Sequence, residues 1–476
     1  MNENLQKIAR FSPFSGVPHI TVPDIYGQSP NVPFLWRISV LGERPMKITA
    51  EGLPDTLALY ENVISGTVKC EGKCKFEVLL TAENALGRDT KRVSVIIEPD
   101  GALKTPLLGF TTWNAFGSGV TQKDMENTAE FLVKSGIAEY GYDYINLDSG
   151  WQGKYGGKYD AVMANEKFPD MKGMYDRIHA LGLCGGIYSS PYTECCGCPA
   201  DMDYLPGCTR GDADIRFAEH HGGIGLEHCE KANVRQWSEW GADWLKYDWW
   251  PTDTVNADLM KKELLRADRQ ISYCVTVYAN EMFYGYWNKS CAAWRCNDDS
   301  DGTWENLKKR MGTLDVWRGK TSVGHFYDLD MLDIGMKSED DGGLTDSEKH
   351  FSMSLHMFFP SPVQISAKLE NLSEYELSLM CNREMLRINQ DSLCDYPRLL
   401  GDISSDECRI YKRTLSDGGK AFAVFNMSEK TLNTKLDFGG KYRIRDPWQS
   451  VFLGEADSYL CKTAPHSATV IRLFPL

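Results

Sequence analysis

The spacing of apolar positions along the chain changes twice. From residue 38 to residue 97, short runs of period-two alternation, such as 76–82, are separated by turn signals such as Asn84-Ala85-Leu86-Gly87. This pattern predicts a small β-sandwich ending near Pro99-Asp100-Gly101. From residue 107 to about residue 390, apolar strand-length runs alternate with amphipathic stretches of helix length, the order of a parallel α/β sheet. Strands are predicted at 107–111, 142–147, 185–189, 244–248, 271–277, 293–297, 321–326 and 363–366. Eight strands in a segment of about 280 residues match a (β/α)₈ barrel in size and count. No Gly-x-Gly-x-x-Gly follows the first strand, which argues against an open dinucleotide-binding sheet. After Tyr396 short alternating strands return, at 409–413, 421–426, 441–445 and 468–473, and predict a C-terminal antiparallel sandwich.

The predicted fold is therefore multidomain, α/β plus all-β: an N-terminal β-sandwich over 1–104, a TIM barrel over 105–395 and a C-terminal antiparallel β-sandwich over 396–476. Composition agrees with a globular chain, at 42% hydrophobic and 25% charged residues, and no uninterrupted apolar run is long enough to span a bilayer. No membrane association is expected. The net charge of −14 repels phosphate backbones, so nucleic acid is not an expected partner. Fifteen cysteines without a repeating framework, and a start at Met1 to Lys7 that lacks a basic-then-apolar leader, predict a reducing, cytoplasmic setting.

In a TIM barrel, polar residues at the carboxyl ends of the strands are the ones that do chemistry. Here Trp113 and Asn114 follow the first strand, Asp148 the second, and Tyr188 ends the third. Lys246 and Asp248 end the fourth, Arg295 stands in the sixth with Asp298 and Asp299 beyond it, and Asp328 and Asp330 follow the seventh. Lys246 and Asp248 are two apart on one strand and share its face, so an ammonium sits beside a carboxylate and favours its ionised form. That suits a nucleophile, and equally suits a structural ion pair. Glycoside hydrolysis with retention needs a second carboxyl about 5–5.5 Å away, kept protonated as the acid; Asp299, in a loop crowded with acids, is the candidate. The aromatic residues Trp113, Tyr188, Trp249, Trp250 and Trp304 offer flat faces to sugar C–H groups.

Together these motifs resemble family 27 of the glycoside hydrolases, the α-galactosidases and α-N-acetylgalactosaminidases. The resemblance rests on Leu108-Gly109-Phe110-Thr111-Thr112-Trp113-Asn114, on Gly186-Ile187-Tyr188, and on Trp240-Gly241-Ala242-Asp243-Trp244-Leu245-Lys246-Tyr247-Asp248. It also rests on Trp294-Arg295 through Asp299 to Trp304, on Asp328-Leu329-Asp330-Met331-Leu332-Asp333-Ile334-Gly335, and on Ile388-Asn389-Gln390-Asp391-Ser392-Leu393. It covers residues 107 to 476. Gly52-Leu53-Pro54, with Ile64-Ser65-Gly66-Thr67 and Thr81-Ala82-Glu83-Asn84, is similar to the immunoglobulin-like modules carried by bacterial glycosidases.

The resemblance implies a retaining exo-acting α-galactosidase that uses no metal and no organic cofactor. Its nucleophile would be Asp248 and its acid/base Asp299, with Trp113, Asp148, Tyr188, Lys246, Arg295 and Asp330 binding an oligosaccharide or glycoside. After the fifth strand, family α-galactosidases set larger residues against the C2 hydroxyl and α-N-acetylgalactosaminidases set small ones. Thr276 and Ala279 resemble the small pair, which implies tolerance of a 2-acetamido group. A homo-oligomer is compatible with the reading.

Three features depart from the family. Two adjacent acids usually hold the sugar's O4 and O6 edge after the second strand, whereas this chain reads Leu147-Asp148-Ser149-Gly150-Trp151, which keeps β-L-arabinopyranosidase as an alternative. The cysteine expected just after the nucleophile is replaced by Trp249 and Trp250, leaving Cys196 without its disulfide partner. An insertion over 191–223 carries Cys195, Cys196, Cys198 and Cys208 with His220 and His221 close by, but without the paired Cys-x₂₋₄-Cys spacing of structural zinc. A carbohydrate-binding protein that had lost turnover would have no use for both Asp248 and Asp299.

Overall fold

A computed structural model describes residues 7–99, 103–198 and 203–476. Three sequence expectations fall partly outside the described residues: the leader-free start at 1–6, the domain boundary at Asp100 and Gly101, and residues 199–202 of the insertion.

The central sheet has eight parallel strands, β1 (Leu108–Thr111), β2 (Tyr144–Asn146), β3 (Cys184–Ser189), β4 (Trp244–Asp248), β5 (Ser272–Thr276), β6 (Ala293–Arg295), β7 (Phe326–Asp328) and β8 (Val363–Ile365). They lie in the order β7-β6-β5-β4-β3-β2-β1-β8. The seam between β7 and β8 is bridged by the Leu332 N–H on the Gln364 carbonyl at 2.9 Å. Helices return the chain between strands: α1 (Gln122–Ser135), α2 (Met171–Ala180), α3 (Glu230–Trp240), α4 (Thr254–Leu264), α5 (Tyr284–Ser290), α6 (Trp304–Thr313) and α7 (Asp346–Phe358). The first is set by a capping box between Thr121 and Asp124 and stopped at Gly136, whose φ of 84° suits a residue without Cβ.

Period-two alternation sorts each strand into an outer face packed on helices and an inner face in the lumen. On β4, Leu245 and Tyr247 join the large apolar core shared with the helices, while Trp244, Lys246 and Asp248 lie on the opposite face. On β5, Tyr273 and Val275 pack outward and Ser272, Cys274 and Thr276 take the other face. Gly186 on β3 is a steric requirement, since a Cβ there would stand 2.1 Å from Asn146 Oδ1.

The strand predictions hold for seven strands to within a few residues. The seventh is displaced: the ladder with β6 begins only at Phe326, the last residue of the predicted run. Residues 322–325 turn back on themselves through a Ser322 to His325 bridge, with Gly324 at φ 88°. The β-prone composition of 321–326 is therefore spent on a turn, and tertiary pairing decides the strand.

The N-terminal domain begins earlier than the alternation suggests, at His19–Ile20, and Ile20 and Val22 belong to its core. A four-stranded sheet (Ile25–Gln28, Gly87–Ile97, Cys74–Asn84, Lys47–Glu51) faces a three-stranded one (Pro33–Arg37, Val63–Thr67, Leu57–Tyr60) over Trp36, Ile64, Val78, Leu80 and Val95. It docks on the amino-terminal face of the barrel. Glu139, just before β2, accepts from Arg37 Nη2 at 2.6 Å and from the Val40 N–H at 2.9 Å, and Arg37 Nη1 donates to the Leu181 carbonyl before β3.

The C-terminal domain is a six-stranded antiparallel sheet, bent by register shifts within the long strand Leu432–Asp446. Its strand Lys420–Asn426 buries both faces: Ala421, Ala423 and Phe425 pack on the barrel, Phe422 and Val424 on a second layer with Leu436, Phe438 and Ile444. Sequence alternation found only the end of the long strand and missed its partner Val451–Thr463, much of whose surface is exposed.

Candidate active site

The carboxyl ends of the strands bring eight of the ten candidate residues into one connected group. Strand pairing sets Tyr188 beside Lys246 and Asp248 beside Thr276. Lys246 Nζ is 2.8 Å from Asp148 Oδ2 and lies 5.4 Å from the centre of the Tyr188 ring. The Tyr188 hydroxyl reaches past its register partner and donates to Asp248 Oδ2 at 2.9 Å. On the other side, Arg295 Nη1 contacts Asp330 Oδ1 at 2.8 Å and donates to Thr276 Oγ1 at 3.3 Å, and its Nη2 donates to Asp299 Oδ1 at 3.0 Å.

Electrostatics in this lumen follow from burying many charges together. Burial pushes the Asp248 carboxyl above its ordinary range; Lys246 and the Tyr188 hydrogen bond pull it down, and the charge of Asp299 pushes it up again. Burial works against the Lys246 ammonium, but Asp148, Asp248 and Asp330 outweigh it and hold Lys246 above its ordinary value. Asp330 goes the other way: burial is overcome by Arg295, Lys246 and backbone N–H groups, and its carboxyl is held below the usual range. Asp330 has φ 78°, a conformation costing a non-glycine residue about 1–3 kcal/mol, and the Ser300 N–H on its Oδ2 at 2.6 Å helps fix it there. Asp328 at the end of β7 is pushed up to about 6, chiefly by burial.

The candidates differ in exposure and packing. Asp299 belongs to the loop after β6, its side chain 80% exposed and ion-paired with Arg295. Trp113 is half-buried on the turn after β1, and its ring lies where a Cβ on Gly197 would fall, so it packs against the insertion. Thr276 lines the cavity at the barrel mouth together with Asp148, Lys246, Arg295 and Asp330. Ala279 is buried in the apolar core, its N–H on the Arg295 carbonyl at 2.8 Å. Among the aromatic candidates, Trp249 is buried with its indole N–H on Asp253, and Trp304 stacks on His466 of the C-terminal domain at 4.5 Å. Trp250 is half exposed at the mouth.

Sequence reasoning missed the lower layer of the cavity. Asn146, Cys274 and Gln364 line it with Asp328. Asn146 Nδ2 donates to Gln364 Oε1 at 3.1 Å, and Gln364 Nε2 to Asp328 Oδ2 at 3.4 Å. Their signal was available, since each occupies the lumen parity of its strand. Three cysteines of the insertion are held separately: Cys195 faces the Pro206 carbonyl, Cys208 receives a hydrogen bond from Asn233, and Cys196 lies 3.3 Å from His221 Nε2. Among the described residues no group of three or more His, Cys, Asp or Glu side chains is arranged to hold a metal ion.

A family model described as Alpha galactosidase A matches residues 114–219 and 223–391, and a second, Alpha galactosidase C-terminal beta sandwich domain, matches 405–473. The chain belongs to the alpha-galactosidase A family. Within that family, the chain is 26% identical over 411 residues to Alpha-galactosidase A of Cellvibrio japonicus, covering 78% of this chain and 92% of the relative. It is 25% identical over 402 residues to an alpha-galactosidase of Oryza sativa subsp. japonica, covering 79% and 86%. A crystal structure from Bacteroides fragilis, of a protein provisionally assigned as an alpha-galactosidase/melibiase, superposes with a TM-score of 0.86 at 28% identity over 98% of this chain and 99% of that one. The fold is also that of a GH27 β-L-arabinopyranosidase from Geobacillus stearothermophilus, TM-score 0.68 at 23% identity over 78% and 97%. The C-terminal family model matches within the C-terminal domain, and the match to the Bacteroides fragilis structure extends over the N-terminal module.

Proposed function

We propose that the protein is a retaining α-galactosidase that removes terminal α-linked galactose from oligosaccharides or glycosides. The observation that carries this is the pairing of Asp248, fixed by Tyr188 beside Lys246, with Asp299 on the loop of the second strand over, held by Arg295, which also donates to Thr276, the register partner of Asp248. Asp248 attacks the anomeric carbon and forms a covalent glycosyl ester as the leaving oxygen takes a proton from Asp299; Asp299 then takes a proton from the water that hydrolyses the ester. In this reading Lys246, Asp148, Asp330 and Arg295 bind sugar hydroxyls. Fifteen cysteines without a repeating framework support a reducing, cytoplasmic location.

The test is turnover of aryl α-D-galactoside against the α-N-acetylgalactosaminide, α-glucoside and β-L-arabinopyranoside, with NMR of the first-formed sugar. Release of α-galactose first supports the reading, and binding of galactosides without turnover of any aryl glycoside overturns it. A second reading, β-L-arabinopyranosidase, is favoured by Ser149. The residue that would be the second acid for the sugar's C6 edge is a serine whose hydroxyl donates to the Cys196 carbonyl, leaving no carboxylate for a C6 hydroxyl.

A further inference from the structure

The nucleophile candidate ends β4 and the acid candidate follows β6, so the β5 loop between them borders the path by which a leaving group departs. Two residues beyond Asp248, Trp250 is clamped by the Tyr192 hydroxyl, which receives the Trp250 N–H at 2.9 Å and donates to its carbonyl. The His220 ring meets the Trp250 indole edge-on at 5.3 Å. Trp250 is nonetheless 50% exposed. Two residues beyond Thr276, Tyr278 stands at φ 52° and is 42% exposed, and Met282 is 80% exposed. Thr252 Oγ1 donates to the Tyr278 carbonyl at 3.3 Å and ties the two loops into one rim.

The polar side chains of this rim are already engaged. Asn280 caps the Met282 N–H at 2.9 Å. Asp253 caps Val255 and Asn256 and receives the Trp249 indole N–H. Thr252 is held on Tyr278. Glu281, the Tyr278 phenol and the Trp250 indole N–H excepted, what these loops turn to solvent beside the site is apolar, which suits a partner with few groups to hydrogen-bond.

We propose that Trp250, Tyr278 and Met282 form a leaving-group subsite for an apolar aglycone, an alkyl or aromatic alcohol. This rests on the α-galactosidase reading and specifies its substrate class. Contact with the rim is made outside the sugar pocket, so its contribution appears as a preference between leaving groups of similar intrinsic reactivity.

The decisive comparison is kcat/KM for octyl against methyl α-D-galactopyranoside, whose alkoxide leaving groups are alike and whose chains differ. The wild-type ratio is expected above about tenfold, and the Tyr278→Ser/Met282→Ser double variant is expected to bring it down at least fivefold, as loss of apolar contact requires. A wild-type ratio near one, or a ratio the double variant leaves unchanged, overturns the proposal. So does a ratio near one accompanied by a dimer that Met282→Asp dissociates, which would make the rim a contact between copies. Absence of turnover on either galactoside is failure of the sugar reading instead, and octyl and methyl β-L-arabinopyranoside then put the same question to the rim, with the same two outcomes.

Discussion

Tyr188 and Asp248 stand on adjacent strands, and the phenol of the first donates to the carboxylate of the second at 2.9 Å although its register partner is Lys246. The hydrogen bond stabilises the charged carboxylate and opposes the effect of burial. Tyr188→Phe therefore raises the Asp248 pKa further, moving the acidic limb of the kcat/KM profile to higher pH. A hydrogen bond to a charged group contributes about 1.5–3 kcal/mol, so activity at neutral pH falls roughly tenfold or more. A profile with its limb unmoved would show that the phenol does not tune the nucleophile.

The two carboxylates separate by leaving group. Asp248→Ala abolishes turnover on every substrate, and added azide restores it with a β-glycosyl azide as product. Asp299→Ala keeps the first step for aryl glycosides that depart without protonation, while natural-type glycosides lose several orders of magnitude. Full activity in either variant refutes the assignment.

Lys246 neutralises a carboxylate that has almost no access to water, since Asp148 is 3% exposed. Lys246→Met leaves that charge unpaired and is expected to cost about 3–5 kcal/mol of stability. The Asp148→Asn/Lys246→Met double variant recovers most of the loss. Denaturant unfolding of the three proteins checks this, and equal instability of single and double variants argues that packing of the lysine stem, not the ion pair, is at stake.

Asp328, at about 6, holds its proton more tightly folded than in an unfolded chain near 3.9. Its contribution is thus fully present at low pH and is lost as pH rises from about 4 to about 6, because only the folded state resists ionisation. Asp328→Asn keeps the neutral form, so its stability relative to wild type is expected to grow across that window by about 3 kcal/mol. A stability difference that does not change between pH 4 and pH 7 disproves it.

Much of this was legible in the chain, for reasons that differ by element. The β4 run Trp244-Leu245-Lys246-Tyr247-Asp248 announces itself because both faces are buried while alternate positions carry charge, a combination that only a lumen explains. β7 was misplaced because 321–325 has the composition of a strand, yet closes a turn before the ladder starts. Asn146, Cys274 and Gln364 passed unnoticed as small or neutral residues that look like ordinary strand members until neighbouring strands bring them together. Ala279, which enters only through the family resemblance, follows the backbone turn at Tyr278 and is buried in the apolar core.

The docking of the N-terminal module through Glu139, Arg37 and Leu181 joins it to the face of the barrel on which the strands begin, away from the end where they deliver the carboxylates. The module and the carboxylates are thus held at opposite ends of the same strands, so a substitution at the docking contact reaches the catalytic loops only through the strands between them.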